Sequence, residues 1–186
     1  RLGHLYTGMT PILLCDNQSP EFLLRAMRAG VREILPADAD TDALCERVRR
    51  VKQPGDIAVV SVHWGSNWGY AVPRAQVRFA HRLIDSGVDV VHGHSSHHPR
   101  PVEVYRHRLV LYGCGDLIND YEGIGGKKRF RGDLRLLYVA RLDPARGLDE
   151  LRMVPLQSRQ MRLRHATEQD AKWLHRVLRK ASRGFG

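Results

Sequence analysis

Cysteine is scarce in this 186-residue sequence, and the three that occur form no CxxC pair. Cys15, Cys45 and Cys114 are odd in number and widely spaced, which argues against a zinc knuckle or a disulfide framework and predicts buried, reduced thiols. No apolar run reaches the ~18 residues that a membrane-spanning helix needs. Repeats and low-complexity segments are also lacking, and 42% hydrophobic and 27% charged residues are typical of a globular chain and not of a disordered one.

The amino terminus, RLGHLYTGMTPILLCD, lacks the charged-then-apolar layout of a secretory signal and does not begin with Met. We therefore expect either a cytoplasmic chain or a fragment of a longer protein. The sequence leaves open whether a signal or anchor lies upstream of Arg1.

The net charge of +10 comes entirely from the carboxy-terminal third. Residues 1–126 contain 14 Lys and Arg and 14 Asp and Glu, whereas residues 127–186 contain 16 basic and 6 acidic residues. Such a field attracts polyanions, for example an acidic polymer, an anionic envelope or nucleic acid. The alternative is a solvated basic surface without a dedicated partner.

Alternating strand and helix patterns predict an α/β fold. Residues 11–52 indicate β-α-β-α, with Ser19 as the cap of the first helix and Pro20 at its first turn. After the break at Pro54 and Gly55, residues 57–62 read as a strand buried on both faces. A helix beginning at Pro73 and the strands VDVV (88–91) and LVLYG (109–113) follow.

The remainder predicts a closing β-hairpin around residues 143–147, a further strand in RQMRLRH and a helix that Thr167 caps. We expect three parts: a lead-in over residues 1–53, a central domain over residues 54–164 and a basic helix over residues 165–186.

Histidines follow two of the predicted strands. His63 comes after IAVVSV, and the stretch VVHGHSSHHPRP places four more histidines in seven residues after VDVV. Because ligands bind at the carboxyl ends of strands in open α/β sheets, and imidazole is a common metal ligand, we expect a metal site there. The predicted set is His63, His94 and His97. His92 is expected to point into the core and His98 into solvent.

The same region resembles the second half of the CapA family of poly-γ-glutamate capsule-synthesis proteins, which have a calcineurin-like metallophosphoesterase fold. The resemblance rests on SVHWGSNWGY, on Pro73, on the Gly-His-x-x-His of residues 93–97, on Glu103 before an aromatic residue and on GCGDLIND, and it spans residues 54 to about 122. Asn67 stands where the family usually has Glu, and Asp116 where it usually has Asn. The family's amino-terminal Gly-Asp and Asn-His segments have no counterpart, so only half of a two-metal site is encoded.

The resemblance implies part of a calcineurin-like sandwich that acts as a metal-dependent hydrolase of phosphoesters in a bacterial cell envelope. A divalent ion (Mn, Fe, Zn or Mg) is expected as the cofactor. No specific nucleic-acid partner is expected, and whether the chain forms a homo-oligomer is left open. The implied metal ligands are His63, His94, His97, Asn67 and Glu103, and the implied catalytic residues are His94, Asp116 and Arg100. Asp116 or Glu103 could instead orient a histidine. The alternative function is non-catalytic handling of an acidic polymer such as polyglutamate by the basic carboxy-terminal third.

Residues 11–50 also resemble, over a short span, the end of a receiver-like domain, as in response regulators or pilus-assembly ATPases of the CpaE type. Pro36 is followed by Ala37, however, so the Lys-Pro dipeptide of receivers is missing. Asp16 after the first strand is better explained by a helix-capping turn than as a phosphoacceptor.

Overall fold

The computed structural model describes residues 11–14, 19–29, 31, 33–35, 40–118 and 128–185. Their helices and strands fall into two compact units, residues 1–47 and residues 48–186. The mixed α/β architecture predicted from the sequence is confirmed. Cys15, Asp16, Pro36 and the glycine-rich segment 123–126 lie outside the described residues.

The first unit contains a two-stranded parallel sheet in which Ile12 pairs with Glu33. The helix between its strands begins as predicted, because the Ser19 hydroxyl accepts a hydrogen bond from the backbone N–H of Phe22 at 3.3 Å. The boundary between the two units falls within the next helix. The elements are β1 (Ile12–Leu14), α1 (Pro20–Arg28), β2 (Glu33–Leu35) and α2 (Thr41–Val51).

The second unit is built on a four-stranded sheet of order β3-β4-β6-β5. β3, β4 and β6 are parallel, whereas β5 runs antiparallel beside β6 at one edge. β5 was not predicted as a separate strand. The elements are β3 (Val59–His63), α3 (Arg74–Asp85), β4 (Val90–His94), β5 (Val102–Tyr105) and β6 (Arg108–Leu111).

One face of this sheet packs on α3, whose Ala80, Leu83 and Ile84 are buried. At the start of β4, Asp89 is also buried and is neutralised by Lys52 at 2.5 Å and by Arg108 at 3.1 Å. Such a carboxylate is tolerated in a core because its charge is paired and hydrogen-bonded.

β3 forms the other edge of the described sheet, and its exposure alternates along the strand. Val59 is 57% exposed, and Ser61 and His63 on the same side are exposed as well. The prediction of a strand buried on both faces is therefore wrong for β3. A continuous apolar run fits a central strand, but a position at the edge leaves one face partly uncovered.

The second sheet of this unit is antiparallel, of order β7-β8-β9, and begins after a 3-10 turn at Lys128–Phe130. The predicted hairpin, third strand and final helix are all present. The elements are β7 (Leu134–Asp143), β8 (Gly147–Arg159), β9 (Arg162–His165) and α4 (Glu168–Ala181). Thr167 caps α4, as predicted, by accepting from the N–H of Asp170 at 3.2 Å.

Two apolar clusters hold the second unit together. In the first, Leu174 and Leu178 of α4 pack on Leu134 and Leu136 of β7. Each fully buried leucine contributes roughly 2 kcal/mol by the area it removes from water. In the second, the β7–β8 hairpin covers part of the face of the four-stranded sheet that bears Val90, Leu109 and Leu111. The uncovered part of that face lies toward β3.

Among the residues placed by the structure, no helix combines the length and apolar character needed to cross a bilayer. Cys45 is buried and Cys114 partly buried, and both are reduced thiols, as the sequence predicts. Burial raises the pKa of Cys114 to about 12, which makes it an unreactive thiol.

Candidate functional site

The pairing of β3 with β4 sets two histidines side by side. His63 and His94 are register partners at the last position of each strand. Their ring centroids lie 5.1 Å apart, with the planes at 73°. Adjacent parallel strands are ~4.8 Å apart, so partners in register necessarily present neighbouring side chains on one face. The structure thus brings together two of the three histidines predicted as a set.

A third imidazole extends this pair along the same face. His92 lies two residues before His94, and their ring centroids are 5.9 Å apart. The Nδ1 of His92 lies 3.0 Å from the hydroxyl of Ser61, its partner on β3. The expectation that His92 points into the core is met only in part, because it is half-buried on the histidine-bearing face.

The surroundings of His92 and His94 favour the neutral form of both rings. Burial lowers the pKa of His92, and the neighbouring His94 lowers it further. Burial also lowers the pKa of His94, with a second contribution from His63. A neutral imidazole retains a nitrogen lone pair, which is the form that binds a metal.

His97 belongs to a second polar group. Its Nδ1 is 2.9 Å from the Oδ2 of Asp116, and Arg135 approaches the same carboxylate at 3.8 Å. Trp68 lies beside the His97 ring, with centroids 5.5 Å apart. Since a carboxylate only accepts, Nδ1 carries the hydrogen of this bond, and in the neutral form of the ring Nε2 is the acceptor nitrogen. Asp116 therefore orients a histidine in this structure.

Asn67 contacts His97 through the backbone. Its carbonyl oxygen accepts from the N–H of His97 at 3.1 Å, and the residue is exposed. This bond holds the loop after β3 to the segment after β4. A role for the Asn67 side chain as a ligand stays a prediction.

Glu103 lies on the opposite face of the sheet from the histidine pair. It pairs with Val110, which in turn pairs with Val91, and strand alternation places these residues on the side away from His92 and His94. Its carboxylate accepts from the Tyr112 hydroxyl at 2.6 Å and lies 2.9 Å from Nε2 of His81. The structure thus separates Glu103 from the histidines with which it was expected to share a metal.

His98 is buried, which corrects the expectation that it faces solvent. Its Nε2 accepts from the N–H of Gly69 at 3.0 Å, and its Nδ1 lies 2.9 Å from the carbonyl oxygen of Pro99. It stacks on Phe130 with centroids 4.7 Å apart. Burial lowers the pKa of His98 to about 4, despite the opposing effect of the Pro99 carbonyl. The side chain holds the loop after β3 in place.

Arg100 is also buried, at 2% exposure. It donates to the carbonyl oxygen of Ala71 and packs against Gly65 and Gly113, where any side chain would collide with it. Its Nε and Nη1 have no hydrogen-bond partner among the residues described. Arg100 thereby supports the loop after β3, whereas the family resemblance implied a catalytic role for it.

Within the described parts of the chain, no group of three or more His, Cys, Asp and Glu residues has the geometry of a metal centre. The histidine pair thus provides two donors. Sequence reasoning missed the contributions of Ser61, Trp68 and Arg135. Of these three, only Ser61 could have been found from the sequence, since it lies two residues before His63 on the same face of the strand.

Comparisons with known proteins identify the family. The model of a family described as bacterial capsule synthesis protein PGA_cap matches residues 11–121. A Mycobacterium tuberculosis protein described as a probable polyglutamine synthesis accessory protein is 56% identical over 153 residues, which is 81% of this chain and 40% of that protein. The PGA biosynthesis protein CapA of Bacillus subtilis is 31% identical over 95 residues, 51% of this chain and 24% of that protein.

This chain therefore spans less than half the length of these relatives. The resemblance to CapA proteins is confirmed, and the matched region also includes the segment 11–50 that resembles a receiver-like domain. With more than half of its residues matched, the chain belongs to the bacterial capsule synthesis (CapA) family.

Proposed function

We propose that this chain supplies the histidine-bearing half of a divalent-metal site in a phosphoesterase-type protein of capsule or polyglutamate synthesis. The observation that carries the proposal is the register pairing of His63 with His94, with ring centroids 5.1 Å apart. The relatives' descriptions as capsule and polyglutamate synthesis proteins support the biological setting. A calcineurin-like sandwich is the fold that this proposal implies for full-length members of the family.

The residues present fit a metal ion, though they do not complete its coordination. Two imidazoles on neighbouring strand ends suit zinc, manganese or iron better than magnesium, which prefers oxygen donors. His97 adds an Nε2 acceptor that Asp116 orients, as carboxylates do for metal-binding histidines. The remaining donors have to come from elsewhere, because stable sites take at least four ligands, including water.

In this arrangement each residue has a distinct task. His63 and His94 would hold the ion, and Ser61 fixes the ring of His92 beside them. His98 and Arg100 keep the loop after β3 in position, which fixes where β3 ends. A bound divalent ion would supply Lewis-acid polarisation of a phosphoryl oxygen and activation of water.

Metal binding by the purified chain tests the proposal. We expect zinc or manganese to bind in calorimetric titrations, and H63A and H94A each to weaken binding by at least about tenfold, since each removes one of two adjacent donors. His165→Ala is the matched control, because His165 is exposed on β9. Unchanged affinity in the H63A/H94A double variant, or no binding at millimolar metal and neutral pH, would refute the site.

A second candidate function is the non-catalytic handling of an acidic polymer. It is favoured by the exposed basic residues of α4 and by the excess positive charge of residues 127–186. Turnover of a generic phosphodiester or phosphomonoester with manganese separates the two candidates. Hydrolysis that H94A abolishes supports the first, and polymer binding without any metal binding supports the second.

A further inference from the structure

The final helix has two chemically distinct faces. Leu174 and Leu178 face inward and are 4% and 6% exposed, so the apolar face is fully used in the core. The opposite face carries five exposed basic residues at the spacing i, i+3, i+4, i+7 and i+8, which aligns them on one side of the helix, and a sixth, at i+11, lies just beyond the helix end. This basic stripe consists of Lys172, His175, Arg176, Arg179, Lys180 and Arg183.

The charges of the basic stripe are largely uncompensated. Lys172 pairs with Glu168 at 2.5 Å. Within the part of the chain that the structure covers, no carboxylate lies within ion-pair distance of the remaining four cations, Arg176, Arg179, Lys180 and Arg183. Residues of the stripe also line a shallow groove along the helix. At 1.5 Å per residue the stripe extends over roughly 17 Å.

Helix stability accounts for only part of this charge. Cations in the last turn interact favourably with the helix dipole, which explains Arg179 and Lys180. Like charges at i and i+4, such as Lys172 with Arg176 and Arg176 with Lys180, are instead destabilising by a few tenths of a kcal/mol per pair. Helix stability therefore does not explain the stripe as a whole.

The stripe lacks the features of a membrane-inserting helix and of a single-strand nucleic-acid site, and its chemistry fits a carboxylate polymer. Insertion into a membrane needs an apolar face, and that of α4 is buried against β7. Single-stranded nucleic acid is bound with aromatic platforms, and the stripe contains no aromatic residue, since Trp173 packs against the core. Arginine guanidinium groups bind carboxylates in a bidentate manner.

We propose that the basic stripe of α4 binds an extended polymer that bears carboxylates along its length, with the polymer lying parallel to the helix axis. The choice of polymer rests on the proposed role in capsule or polyglutamate synthesis. The surface itself is separate from the histidine pair, so that either proposal can fail without the other.

Binding of fluorescently labelled poly-γ-glutamate, measured by anisotropy, tests this inference. We expect R176E/R179E/R183E to bind at least about tenfold more weakly than the unmodified chain, because three attractive charges become repulsive. The matched control is R159E/R162E/R164E, which makes the same change in net charge at exposed arginines of β8 and β9. We expect the control to weaken binding by less than about threefold at 150 mM salt, where distant charges are screened.

Several outcomes would overturn the inference. An equal loss of affinity in both triple variants would reduce the effect to net charge. Tighter binding to duplex DNA, or to vesicles containing phosphatidylglycerol, than to polyglutamate would assign the stripe to a different partner. Should R176E/R179E/R183E fail to fold by circular dichroism, R176Q/R179Q/R183Q provides the milder test, and retained affinity there would contradict the proposal. H63A/H94A should bind the polymer normally, which keeps this result independent of the metal site.

Discussion

At the scale of single residues, the histidine-bearing strand depends on glycine for close packing. A Cβ added at Gly93 would lie 2.7 Å from the carbonyl oxygen of Leu111 and 2.9 Å from that of Tyr112, and would press on the Trp64 indole nitrogen. That nitrogen donates to the Tyr112 carbonyl at 3.1 Å. Gly93 thus lets the Trp64 ring close over β4 next to His94.

The first prediction concerns this glycine. Gly93→Ala should lower the free energy of unfolding by about 1–3 kcal/mol, because two of the atoms in its way belong to the backbone and cannot move aside freely. Urea denaturation measures the change. Gly184→Ala is the control, since an added Cβ there meets no atom within 4 Å. Equal stability of the two variants would show that the packing around Gly93 is looser than described.

The second prediction separates a structural histidine from a candidate ligand. His98→Leu leaves the Gly69 N–H and the Pro99 carbonyl unpaired in a buried site, which costs about 1–3 kcal/mol for each unsatisfied group. The melting temperature should therefore fall. Zinc affinity of the folded protein should change by less than about threefold. Loss of zinc binding with unchanged stability would instead make His98 a ligand.

At the scale of elements, an ion-pair cluster joins the start of β7 to β8 and α4. Arg131 contacts Asp133 at 2.9 Å and Asp170 at 3.0 Å, and Gln157 donates to Asp133 at 2.9 Å. The hydrogen bond from Arg131 is the largest effect that lowers the pKa of Asp133, and Gln157 contributes in the same direction. The folded chain therefore keeps this carboxylate ionised at pH values where the unfolded chain protonates it.

The third prediction follows from the sign of this shift. A carboxyl whose pKa is depressed by folding adds stability above its unfolded pKa of about 4, and the contribution disappears as the pH falls through the folded pKa. Asp133→Asn should thus destabilise by about 0.5–1 kcal/mol at pH 7, a modest value because the Asp133 side chain is 39% exposed. The difference from the unmodified chain should shrink toward zero as the pH falls through the folded pKa of Asp133.

Chemical denaturation at several pH values measures this difference. Glu150→Gln is a suitable control, because the Glu150–Arg141 pair is 54% and 67% exposed and contributes little. A difference for Asp133→Asn that stays constant from pH 7 to pH 2 would contradict the interpretation.

At the scale of the whole molecule, the metal-binding proposal can be compared with a longer relative. The described residues assemble two adjacent histidine donors and an oriented third imidazole, and the chain covers 40% of its mycobacterial relative. Under the proposal, the additional metal donors of such a relative would come from its residues outside the matched region.

The fourth prediction compares the two proteins. The full-length Mycobacterium tuberculosis relative should bind zinc or manganese at least about tenfold more tightly than this 186-residue chain, because each additional ligand adds to metal affinity. Parallel titrations under one buffer condition make the comparison. Equal affinities would mean that the histidines of this chain suffice by themselves.

Much of the fold could be predicted from the sequence where the signals are local. The caps Ser19 and Thr167, the β7–β8 hairpin and the spacing of Leu174 and Leu178 all follow from short-range chemistry. β5 was missed because it is four residues long and follows Pro101 closely. Its position at the edge is a property of the sheet and not of its own residues.

The sequence alone determined that histidines follow two strands, that basic residues concentrate after residue 126 and that the chain resembles CapA proteins. Only the tertiary structure decided which imidazoles meet, because strand register makes His63 and His94 neighbours although they are 31 positions apart in the chain. It also placed Glu103 on the far face and buried His98 and Arg100. These outcomes depend on pairing and packing between distant segments, which local sequence patterns do not encode.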